Sequence, residues 1–542
     1  MKKILSLAAV LAIALAADAA PRTMRQKKDA ALSVLNRMAQ PGARRAAFNG
    51  TLGTLDSNDA FTVLGFDGGG FAIVANDDRY EAVVGYSDSK YTSLPDGMQW
   101  YLGALKQAMD NGATAYTFMP KKGQAASVDP LMETEWGQDE PYNRMTPKNH
   151  PTGCVATAMA QIMYTHRWPE KGNGTAVSIS DLKTIDLSKT TYDYANMLPV
   201  YAGVSYSTKQ ARAVATLMYH CGITSDMDYN ASGSGTNLFK ANEALHNNFS
   251  YHENSNVHVR DYHANDDWME SVYDELDNKR PILYAAVDAH GTGGHAFVFD
   301  GYDAQGLVHV NWGWDGSCNG YYDMSLLNPA TQMDKFEYSK QQQMITGFAK
   351  PDADILRQSE VVTNKDFELK LQNGKLLMGD YAFFNYNYYD FKGLFFVVAV
   401  NSETAVALDG IDFTSNPITG INNDNGYVYG INSLTNGKYI ELSNVSKLAD
   451  GTYYVFCAVQ EDGYENFSMI SAPEGVNTTY TLTKKGISLT LAKGYVTGVA
   501  SVKAQPAAAD SRVFSLDGRS LGNDISKLGK GLYIVNGKKI MK

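Results

Sequence analysis

Apolar and polar positions change rhythm several times along the chain. Lys2 and Lys3 precede an apolar run over residues 4–17, and Ala17-Asp18-Ala19 closes it with small residues around a polar one. A charged start, a run too short to span a bilayer and a small-x-small end predict a cleaved export signal over 1–19. Basic and alanine residues at helical spacing follow over 22–47. Two apolar runs, 61–64 and 71–75, flank a glycine turn and predict a β-hairpin. Trp100, Leu102, Leu105 and Met109 share one face of a helix predicted over 98–109. Residues 20–125 are therefore expected to form a small α+β unit. It ends in a polar, dibasic stretch, 121–127, that reads either as a processing site or as an ordinary hinge.

Residues 126–350 mix helical and strand periodicities. Beyond Pro351 the runs are strand-like: 394–400, 427–431, 453–459 and 479–482, separated by turns such as Asp424-Asn425-Gly426. Such spacing predicts one or two β-sandwich modules over 351–503. A linker at 504–510 then leads into a separate small β unit, so that 504–542 stands apart.

Composition removes several functions. The 542 residues carry 47 Lys plus Arg against 58 Asp plus Glu, a net charge of −11. An acidic chain lacks the basic footprint that draws phosphate backbones or anionic membranes, so nucleic acid is not expected as a partner. No later apolar run approaches spanning length, and the exported protein is expected to be soluble, secreted or at the cell surface. Four cysteines, Cys154, Cys221, Cys318 and Cys457, show no C-x-x-C spacing. Neither a disulfide scaffold nor a zinc knuckle is indicated; a pair between Cys221 and Cys318 has no local support, and a single thiol is free to work. No metal and no cofactor is expected.

The chemistry gathers around Cys154. Val155, Met159, Ile162 and Met163 form the apolar stripe of a buried helix, with Thr152 or Gly153 as its cap and Cys154 in its first turn. There the unpaired N–H groups and the helix dipole favour a thiolate, and the same groups would meet a developing oxyanion. A base is needed. His295 follows Gly291-Thr-Gly-Gly294 and opens an apolar strand, 141 residues after Cys154. In the next strand Asn311 is placed to accept the second ring proton of His295, and Trp312 to shield that bond from water. His309, of the same strand parity as Asn311, is the rival base, bracketed by Val308 and Val310. Gln138 supplies a second oxyanion donor from the segment ahead of the helix. Gly153, Gly294, Trp312 and Ser234, the last in the loop Ser232-Gly-Ser-Gly-Thr236, are expected along the cleft.

Taken jointly, Gly153-Cys154-Val-Ala-Thr-Ala, Gln161-Ile-Met, Gly294-His295-Ala-Phe, His309-Val-Asn311-Trp-Gly-Trp314 and Trp136-x-Gln138-x-x-Pro141-Tyr-Asn143 resemble the streptopain family of papain-like cysteine peptidases. The stretch around Phe71-Ala-Ile-Val-Ala-Asn-Asp-Asp-Arg79 and Gly85-Tyr-Ser-Asp88 is similar to the leader of that family. The resemblance covers about 50–350. It implies an α+β fold: a papain-like two-lobed peptidase domain over 126–350 behind an inhibitory α+β prosegment over 20–125, with the β-sandwich modules following. It also implies a secreted zymogen, activated by removal of the prosegment, often by the enzyme itself. Such an enzyme cleaves host proteins broadly, with a hydrophobic residue two places before the cut. Carried over, Cys154 is the nucleophile, His295 the base and acid, Asn311 the orienter and Gln138 the oxyanion donor. Gly-Cys-Val-Ala in place of Cys-Trp, and Asn-Trp-Gly-Trp in place of Asn-Ser-Trp-Gly, depart from papain and put its subsite preferences in doubt. The end of the chain, 513–519 and 530–539, resembles the sorting domain of the type IX secretion route, which would make that machinery a partner. Two readings compete: a papain-fold amidase or transglutaminase-like enzyme, and a non-catalytic surface adhesin.

Overall fold

The structure, a computed structural model, describes residues 20–38, 50–287 apart from 122, 294–327, and 342–494 apart from 356–358, 403, 421–430, 434–436, 465–466 and 474. In the C-terminal tail it describes three strands, Val513–Ser515, Leu532–Val535 and Lys538–Met541, which pair in one antiparallel sheet. The export signal over 1–19, the linker at 504–510, the turn at 424–426 and residues 291–293 ahead of Gly294 lie outside the described residues.

The N-terminal unit runs α1 (Met24–Met38), β1 (Gly53–Ser57), β2 (Phe61–Gly65), β3 (Phe71–Ala75), β4 (Val83–Ser87) and α2 (Asp96–Asp110). The hairpin expected from the glycine turn is β2–β3, with Phe61 opposite Ala75 and Gly65 opposite Phe71. Ala31, Val34 and Leu35 of α1 close one face of these strands over Leu64, Ala72 and Val74. The helix expected over 98–109 is α2, begun two residues earlier and ended one later.

Next come α3 (Cys154–His166), the hairpin β5 (Thr175–Val177) and β6 (Thr184–Asp186), α4 (Thr208–Thr224) and α5 (Leu238–Asn247). Then follow β7 (Asn256–Val259), α6 (Asn265–Asp277), β8 (Ile282–Val287), β9 (Gly294–Tyr302), β10 (Val308–Asn311), β11 (Gly320–Tyr322) and β12 (Gln343–Thr346). Ser207 and Gln210 cap α4 reciprocally.

The strands form one ten-stranded sheet in the order β1-β2-β3-β4-β11-β10-β9-β8-β12-β7. Sequence patterning treated the N-terminal unit as separate, yet β4 pairs antiparallel with β11, Gly85 facing Tyr322 and Ser87 facing Gly320. Strand alternation then sorts the core into two layers. Leu283, Ala296, Val298 and Ile345 point toward α3, α4 and α5. Ile282, Tyr284, Phe297, Phe299 and Trp312 point toward α2 and α6.

Residues 361–493 build the C-terminal β module. A six-stranded sheet, including Gly393–Val400, Ala405–Asp412, Gly451–Glu461 and Thr479–Lys485, packs on two three-stranded sheets. One core, with Phe367, Phe383, Phe395, Val397, Val455 and Leu482, serves all three sheets, so the described residues here make one module. No helix among the described residues is long and apolar enough to cross a membrane.

Candidate active site

The start of α3 is braced before it carries chemistry. Thr152 N–H donates to the Gln138 carbonyl at 3.0 Å, and the Thr152 and Thr157 hydroxyls lie 2.8 Å apart. Gly153 takes the N-cap position at φ +86°; a Cβ there would meet Met227 at 2.7 Å and the Ser234 carbonyl at 2.9 Å. Both conformation and space therefore call for glycine. The loop holding Ser234 is part of this brace. Its buried hydroxyl donates to the Pro151 carbonyl at 2.6 Å, so Ser234 supports the helix start beside Cys154.

Cys154 opens α3 half-buried, with Sγ 3.8 Å from the Gly294 carbonyl of β9. Burial pushes its thiol above the ordinary cysteine range. Asp96 of α2 adds to the rise, while the N–H groups of Ala296, Val155 and Cys154 itself oppose it. Desolvation by burial thus outweighs the stabilisation that the helix start gives a thiolate.

His295 stands opposite Ala286, between the two β9 residues whose backbone meets the thiol. It is half-buried at the start of β9, two residues before Phe297. The layer of Ala286, Phe297 and Trp312 below it is covered by α2. The Trp100 and Phe297 rings are 5.8 Å apart, and Gly97 lies so close to Trp312 that a Cβ would fall 2.8 Å from its ring.

Asn311 departs from its expected contact. Its amide donates to the Thr134 carbonyl at 2.7 Å and exchanges hydrogen bonds of 3.3 Å with Gln161, and its Oδ1 accepts from Gly313 N–H at 3.1 Å. It pairs in register with Val298 of β9. An odd–even step along β10 decides this: Asn311 turns toward α3, and Trp312 turns toward α2 and contacts Phe297 at 4.8 Å. The Trp312 indole N–H is bonded to the Cys318 carbonyl at 2.9 Å. The rival base His309 is held by Asp300, with Nδ1 2.5 Å from Oδ1.

Sequence reasoning left Gln161 without a role. It is fully buried, accepts Trp136 N–H at 3.2 Å and pairs with Asn311. One network thereby ties the segment leading to Gln138, helix α3 and strand β10. The signal was present: a glutamine one position from the apolar stripe of a buried helix. Gln138 is half-buried in the segment ahead of α3. Gly294 is exposed beside the thiol.

All four cysteines are free; Cys221 and Cys318 lie in different core layers, which rules out a disulfide between them. Among the described residues one group, His258, His263 and Glu360, brings metal-type donor atoms within 4.8 Å, but it lies at the C-terminal module.

Residues 136–322 match the peptidase C10 family, and residues 12–111 match the Spi protease inhibitor family. Streptopain of Streptococcus pyogenes is 31% identical over 346 residues, 57% of this chain and 86% of that protein. The thiol protease/hemagglutinin PrtT of Porphyromonas gingivalis is 31% identical over 310 residues, which are 51% of this chain and 35% of PrtT. Among solved structures, a cysteine-to-alanine mutant fragment of prointerpain A from Prevotella intermedia is 35% identical. It covers 56% of this chain and 99% of that fragment, with a TM-score of 0.51.

Proposed function

Because this chain belongs to the streptopain family of cysteine peptidases, we propose that it is exported as a zymogen that removes its own prosegment and then hydrolyses host proteins. It is a cysteine endopeptidase of papain-like α+β fold with an inhibitor-like prosegment. In our reading Cys154 is the nucleophile and His295 its base. The single observation that supports this is the seating of the Cys154 thiol, at the head of a helix, against the backbone on both sides of His295. His295 takes the thiol proton as Sγ attacks the scissile carbonyl carbon, then gives that proton to the leaving amine as the C–N bond breaks. Water hydrolyses the remaining thioester with the same imidazole as base. The oxyanion is met by Cys154 N–H and by the Gln138 amide.

Asn311 orients indirectly in this proposal. Its bonds to Thr134 and Gln161 hold β10 and the Gln138 segment in register with α3. The prosegment inhibits by packing α2 against β9 and Trp312, with Asp96 of α2 acting on the thiol, so removing 20–125 frees the site. Cutting is assigned to the stretch 121–127. Export by the 1–19 signal, sorting by 504–542 through type IX machinery, and a substrate range of host proteins complete the proposal.

Cys154→Ala is the test. Casein cleavage should fall on the order of a million-fold, and the purified chain should stay full-length by timed mass spectrometry. Self-processing that persists in this variant overturns the assignment.

A further inference from the structure

A buried carboxylate sits where the C-terminal module meets the catalytic region. Glu360 directly precedes the module's first strand, Val361–Val362, and is 2% exposed. Its Oε2 lies 2.7 Å from Nδ1 of His258 on β7, and its Oε1 lies 2.9 Å from Nε2 of His263. Val259 N–H also donates to Oε1 at 3.2 Å, and the far nitrogen of His258 lies 2.9 Å from the Thr346 hydroxyl on β12. The seam around it is made of matched partners. Asn256 donates to Asn387 at 2.6 Å, the His246 ring stacks on Tyr388 at 4.5 Å, and the Tyr262 and Tyr386 hydroxyls are 3.3 Å apart.

A carboxylate in such a place is destabilising by several kcal/mol unless it is paired. Burial would raise Glu360, but the His263 and His258 imidazoles hold its carboxyl well below the usual range. Burial would lower His263, but Glu360, with Asp267 of α6 behind it, raises it. Arg260, the other buried cation here, turns its guanidinium away to Asn265 at 2.8 Å and to Gln342 and the Met324 carbonyl. The separations of 2.7 and 2.9 Å are hydrogen-bond lengths, shorter than the roughly 3.3 Å between donors around tetrahedral zinc. Each gap is spanned by a single proton between imidazole and carboxylate.

We propose that Glu360, clasped by His258 and His263, is a proton-dependent anchor that fastens the C-terminal β module to the catalytic region and releases it in alkaline solution. The sign follows from the geometry of the pair. A histidine raised by its partner contributes stability that is complete below the ordinary imidazole range and is lost as pH rises through the raised value. The module and the protease therefore act as one body at mildly acidic pH, and the anchor weakens as pH rises through the raised value.

The test uses the full chain carrying Cys154→Ala, so that it does not digest itself. Subtilisin cleavage between residues 349 and 361 is followed at pH 6 and pH 9, normalised at each pH to an unstructured peptide. The rate is expected to rise several-fold between those values. Glu360→Gln should be cut fast at both, whereas His263→Gln, which keeps an N–H donor, should lose the pH step; near-UV circular dichroism checks that each variant folds. A flat profile in the parent chain, a step that survives Glu360→Gln, or stoichiometric zinc in the purified protein by mass spectrometry overturns the anchor.

Discussion

At Cys154 two effects of opposite sign meet, and the covered state lets desolvation win. With the N-terminal unit in place, alkylation by iodoacetamide should be slow at pH 7 and should accelerate only above the ordinary thiol range. Removal of the unit should bring that midpoint down, and an unchanged pH–rate profile would contradict the role given to burial. The residues behind the site make a different prediction. Asn311 and Gln161 satisfy each other and three backbone groups in full burial, so Asn311→Ala should lower stability by about 1–3 kcal/mol in urea unfolding. Cys154, His295 and Gln138 were legible as residue types at meaningful spacing. The partner of Asn311 was not, because spacing does not say which face of a strand a side chain takes.

Among elements, α2 is the one to which we assign the inhibition. Gly97 lets its first turn approach the Trp312 ring, where a Cβ would fall at 2.8 Å. Gly97→Val should weaken this docking by about 1–3 kcal/mol and speed maturation of the active chain in a timed gel assay. A slower or unchanged rate would show that α2 does not control access. The boundaries of α2, α3 and the β2–β3 hairpin were readable from periodicity because each buries one apolar face. The join of β4 to β11 was not readable, since backbone ladder bonds leave almost no trace in side-chain pattern.

For the whole molecule, burial of histidine sets the acid limit of stability. Burial lowers both His166 and His220 to about 4, and each stays neutral in the folded chain. An unfolded histidine binds its proton near 6.5, so stability should fall as pH drops from about 6.5 toward 4, by at most about 1.4 kcal/mol per unit for each. Thermal unfolding of the Cys154→Ala chain across that range measures it; a constant midpoint would contradict the buried neutral state. The amino-acid sequence by itself determined the order of units, the helix that carries Cys154 and the strand that carries His295, because burial periodicity and turn residues are local properties. Which layer each side chain enters, the sheet shared with the prosegment, the raised thiol and the clasp on Glu360 were decided by tertiary structure alone. Desolvation and strand pairing depend on neighbours hundreds of residues distant, and no local pattern encodes them.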